Sequence, residues 1–263
     1  MLNALRSLEQ LLRGEATTLP NLEGDRFDLP VGGLSVLLTA LGMIYGACMG
    51  LFALTGAGSG HGMQVLASTV KTPTLFLLTL VVTFPSLYVF NAMFGSRLRL
   101  LPMLRLMVGS LAVTMAVLAS IGPIVGFFGV SSTSYPFMVL LNVFVFAVSG
   151  MLGLGFLLQT LHRMDVVGRP PVTEPPPLPV APVDGEPTGA LQYPDDRKAT
   201  GSVWGVFKLW VVIFGLVGAQ MAWVLRPFIG SPRHSGQPFQ WFRPVGGNFF
   251  ESVLTQFQRL FGF

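Results

Sequence analysis

Five long apolar blocks constrain this chain more than any other feature. They cover about residues 31–54, 73–94, 104–128, 135–161 and 203–225. Crossing the roughly 30 Å hydrocarbon core of a bilayer as a helix takes about 20 apolar residues. Each block is long enough. The blocks contain no acidic residue, and their two cations, Arg105 and Lys208, lie close enough to an end for the side chain to reach the interface. The expected fold is all-α: a polytopic transmembrane helical bundle of about five spans. Composition agrees, since only 11% of residues are charged and mean hydropathy is +0.64, against about 25% charged for a soluble domain.

The remaining segments divide the chain. Residues 1–30 read as a cytoplasmic helix and lead-in, with Leu2, Leu5, Leu8, Leu11 and Leu12 at helical spacing and Gly14 as a stop. Residues 31–162 form a four-helix transmembrane region. Residues 163–200, containing PPVTEPPPLPVAPVDGEP, read as an extended Pro-rich cytoplasmic linker; its PxxP spacing, such as Pro176 to Pro179, offers a docking motif, and a plain spacer is the simpler reading. Residues 201–226 hold the fifth helix. Residues 227–263 form a tail in which Asn248 and Glu251 resemble a capping box opening FFESVLTQFQRLFGF, a second amphipathic helix suited to the interface or to packing on the spans.

Arginine and lysine placement predicts orientation. With the N-terminus in the cytoplasm, the inner segments hold Arg6, Arg13, Arg26, Arg97, Arg99, Arg105, Arg163, Arg169, Arg197 and Lys198. The first outer loop would hold only Lys71 and the second none. The tail opposes this, because Arg226, Arg233, Arg243 and Arg259 would lie outside.

Within the spans, Gly42, Gly46 and Gly50 form a double GxxxG, a groove for a close helix neighbour in the same bundle or in a second copy. Gly150 with Gly153, and Gly215 with Ala219, offer similar small surfaces. Pro85 and Pro123 are expected to kink their helices. Thr83, Ser86, Asn91, Asn142 and Gln220 are neutral polar residues at depth; they suit hydrogen bonds between helices, and a polar path is the alternative.

Several function classes are not expected. The basic residues are dispersed, which disfavours nucleic acid as a partner. His61, His162 and His234 lie in separate segments and suggest no metal site, and no cofactor is implied. TGAGSGHG lacks the preceding strand and the Lys-Ser/Thr of a phosphate loop. Cys48 is alone inside a span, and no nucleophile–base set is suggested, so an enzyme is not expected. No cleavable signal peptide is expected either.

The runs LFLLTLVVTFPSLYVFNAMFGSRL, SYPFMVLLNVFVFAVSG, GAQMAWVLRPFIG and FRPVGGNFFESV resemble an uncharacterised family of bacterial multi-pass inner-membrane proteins, over most of the chain from residue 30 onward. The resemblance implies the bacterial inner membrane and carries no residue roles, since the family has no assigned function. The five-span plan is similar to the Yip family in architecture only. The functional expectation is a non-enzymatic membrane scaffold or complex subunit whose partners are the lipid bilayer and a membrane protein or a second copy. The alternatives are a channel or facilitator for a neutral small solute and, more weakly, a lipid-handling or bilayer-shaping protein.

Overall fold

The computed structural model describes residues 2–15, 30–55, 61–93, 100–167, 196–225, 241 and 247–262. Among them every regular element is a helix: α1 (Leu2–Leu12), α2 (Val31–Gly50) with a 3-10 turn at Leu51–Thr55, α3 (His61–Met93), α4 (Leu100–Ser131), α5 (Tyr135–Val167), α6 (Asp196–Leu225) and α7 (Phe249–Phe261). Four of these are long and apolar enough to cross a membrane, at Val31–Leu54, Gly62–Ser86, Met103–Ser131 and Tyr135–Thr160. In α6 the described apolar part is Leu209–Leu225. The 168–195 part of the Pro-rich linker and most of 226–246 lie outside the described residues.

The second span departs from its expected bounds. The sequence places it at 73–94, the extent of the uninterrupted apolar block. The helix instead begins at His61 and runs unbroken through Pro73. Pro73 is retained there because it is buried against Gly42, where a Cβ would lie 3.0 Å from the proline ring. The twelve residues before it supply much of the α2–α3 contact. Lys71 therefore belongs to the span rather than to an outer loop.

Register follows from the glycines. Gly42 meets Pro73, Gly46 meets Ser68 and Thr69, and Gly50 meets Val65, so α2 and α3 run antiparallel. Gly122, Gly126 and Gly129 of α4 meet Tyr45, Cys48 and Phe52 in that order, so α2 and α4 run parallel. Gly153 of α5 lies on Ser110 and Thr114 of α4. Gly218 of α6 lies on Thr79, and Leu75 packs with Ala222 and Leu225, so α3 and α6 are antiparallel. The core joins Leu34, Leu38, Tyr45, Met49, Leu106, Met115, Leu118, Met138 and Trp210.

The two terminal helices attach at opposite ends. α1 buries Ala4, Leu8 and Leu11 against the bundle where α2 and α4 begin, with Ala4 beside Gly33, and leaves Leu5 and Leu12 exposed. α7 rests against α5 and the last turns of α6; the Trp223 Nε1–H donates to the Gly247 carbonyl at 3.1 Å. The Asn248 side chain accepts from the Glu251 N–H at 2.9 Å, and Gly262 closes the helix in the left-handed region at φ 77°.

Candidate functional site

Several polar residues of the described spans lie inside the bundle, and two of their hydrogen bonds join neighbouring helices. Tyr45 lies between two glycines of α2 and is fully buried. Its hydroxyl donates to Asn142 Oδ1 of α5 at 2.8 Å, and Asn142 Nδ2 donates to the Met138 carbonyl at 2.8 Å. Both atoms of the buried amide are thus engaged. The Tyr45 ring meets Phe146 edge-on at 5.4 Å, and Phe146 meets Phe76 of α3. Three helices are joined at one level. A second tie lies nearer the other end, where the Ser110 hydroxyl donates to the Gly153 carbonyl at 2.9 Å, possible only because glycine lets the helices close up.

The hydroxyls of α3 turn back on their own helix. Thr72 donates to Ser68, Thr79 to Leu75, Thr83 to Thr79 and Ser86 to Thr83, at 2.7–2.8 Å. Such bonds hide a hydroxyl in an apolar setting without a second helix.

Lys71 is the only charged side chain among the buried described residues, at 9% exposure. Its ammonium donates to the backbone carbonyl of Trp241. One turn further on, Leu75 packs against the end of α6 at Ala222 and Leu225. Lys71 thus stands where α6 ends, a position that favours a cation because the last carbonyls of a helix carry partial negative charge.

No family model, curated protein or solved structure matches the chain.

The sequence-predicted residues separate on that geometry. Gly42, Gly46 and Gly50 are filled by α3, and Gly153 by α4. A Cβ on Gly150 or Gly215 would meet nothing within 4 Å, and Ala219 is half-buried. Pro85 and Pro123 are exposed on the outside of unbroken helices. Thr83 and Asn142 are buried, Ser86 is half-buried, and Gln220 faces outward. Asn91 lies in the last turn of α3, and its side chain is outside the described residues. The four whose side chains are described, Thr83, Ser86, Asn142 and Gln220, are not brought to one place. Among the described residues no three of His, Cys, Asp and Glu come together.

Sequence reasoning missed Tyr45, Lys71 and the α4 glycines. Tyr45 carries a readable signal, as the one polar side chain in GMIYGACMG. Gly122, Gly126 and Gly129 stand at small-residue spacing in IGPIVGFFGV. Lys71 was assigned to an outer loop because the apolar block starts after it.

Proposed function

We propose that this protein is a non-enzymatic scaffold or complex subunit of a bacterial inner membrane, built of five spans with an interfacial helix at each end. The observation that carries the reading is the Tyr45–Asn142–Met138 chain. A solute path needs polar groups free to exchange partners, whereas the amide best placed to line one has both atoms spent on fixing α2 to α5. The glycine groove is likewise filled by backbone of the same chain.

The alternation of helix directions supports an odd number of spans, with α1 and α7 at opposite ends. Moving Lys71 into the second span leaves GAGSG at 56–60 and STS at 132–134 as the outer connections, neither holding Lys or Arg. That sharpens the charge contrast favouring a cytoplasmic N-terminus. α6 is the fifth span in this reading. α7 leaves Phe250, Leu254, Phe257 and Phe261 exposed on one side and Glu251, Gln258 and Arg259 on the other, which suits a helix lying in the headgroup region.

The experiment is purification from native membranes in mild detergent after cross-linking. A defined larger assembly, with a partner or a second copy, is expected. A strictly monomeric protein that instead carries a neutral solute across liposomes, and loses that flux on Asn142→Leu, would replace this reading with the facilitator.

A further inference from the structure

Gln220 lies on the outward face of α6, between Leu216 and Val224, and all three are exposed. Its amide makes no hydrogen bond among the described residues. It sits five residues from the end of a 17-residue apolar stretch, Leu209–Leu225. If α6 spans the bilayer, as read above, this amide faces lipid. A carboxamide left unpaired in hydrocarbon is costly, and glutamine on a lipid-facing helix is relieved by a polar group on another helix.

The ridge around Gln220 has the shape for close approach. Gly215, Leu216, Ala219 and Gln220 occupy positions i, i+1, i+4 and i+5, neighbours on one side of the helix. A Cβ on Gly215 would meet nothing within 4 Å, so no described part of the chain fills that side. This contrasts with Gly46 and Gly153, whose space is taken within the chain.

The amide is also self-complementary. A carboxamide carries an acceptor oxygen and donor hydrogens, so two of them facing each other across a two-fold axis satisfy both. A two-fold interface brings the same residue of each copy together. We propose that α6 pairs with α6 of a second copy of this chain through Gln220, with Gly215 and Ala219 setting the distance. The inference rests on α6 being the fifth span and deepens the scaffold reading by naming one partner.

The test uses the full chain in native membranes with Cys48→Ala. Leu216→Cys is oxidised to report a copy-to-copy contact, and Met221→Cys, half-buried on the opposite side of α6 against Leu75, Ala222 and Leu225, is the control. Expected is a disulfide-linked dimer for Leu216→Cys and none for the control. Adding Gln220→Leu should weaken the association about three- to tenfold, from the worth of interhelical polar contacts in membranes, whereas Gln220→Asn should retain most of it. Impermeant thiol labelling of Gly201→Cys and Arg226→Cys checks the span independently. If those ends label from opposite sides and Leu216→Cys gives no dimer, the pairing is wrong and the span stands. If both label from one side, the span fails and the pairing with it. A dimer unchanged by Gln220→Leu overturns the role of the amide.

Discussion

A methyl group on Gly46 would lie 2.5 Å from the Ser68 carbonyl oxygen and 2.9 Å from Thr69 Cα. Both belong to helix backbone, which cannot rotate aside. Gly46→Ala should therefore push α3 away and destabilise by about 1–3 kcal/mol, the usual range for overpacking. Gly150→Ala meets open space and should be neutral. Thermal unfolding of the two variants in detergent checks this; equal midpoints would show that the α2–α3 approach is looser than described. Tyr45→Phe leaves Asn142 Oδ1 buried without its donor. Interhelical bonds in membranes are worth about 0.6 kcal/mol on average and up to about 1.7, so a loss in that range is expected. Combining Tyr45→Phe with Asn142→Leu should cost less than the two single losses together, because no polar atom is then stranded. Strict additivity in a double-mutant cycle would mean the two groups do not interact.

At the level of elements, the helices were legible and their partners were not. Three of the four long apolar helices fall where block length puts them, because hydropathy alone decides which segments can leave water. The start of α3 was misplaced because Gln64, Ser68, Thr69, Lys71 and Thr72 interrupt the apolar run before Pro73, while in the structure the Thr69 and Thr72 hydroxyls are hidden by bonds to their own helix. The groove at Gly42–Gly50 was legible as a groove; that α3 fills it depends on chain folding, which spacing does not encode. The asparagine cap of α7 was visible in Asn248 and Glu251, and the observed bond is the Asn248 half of that box. Asn248→Ala should cost about 1 kcal/mol and raise amide exchange in the first turn of α7, with little change in α2–α5. Lys71 makes a further element-level claim: it ties the chain beyond α6 to α3. With Cys48→Ala, a Trp241→Cys probe keeps the accepting carbonyl. Its labelling by an impermeant thiol reagent should quicken several-fold on Lys71→Met. An unchanged rate would leave Lys71 without that role.

At the scale of the whole molecule, helix direction sets the topology. α2, α4 and α6 run one way and α3 and α5 the other, inferred from glycine pairings, from Leu75 against Ala222 and Leu225, and from the Ser110–Gly153 tie. α1 attaches where α2 begins and α7 where α6 ends. The sequence reading expects five spans and leaves a conflict in the four arginines of the tail. The conflict eases because a segment following the last span is a weaker determinant of orientation than the short loops that precede it. The decisive measurement is a paired reporter fusion at the two termini, using one reporter active only in the cytoplasm and one active only outside it. Five spans predict cytoplasmic activity at the N-terminus and external activity after Phe263. Both termini reporting from the same side would contradict the five-span bundle and, with it, the placement of α7 and the pairing face of α6.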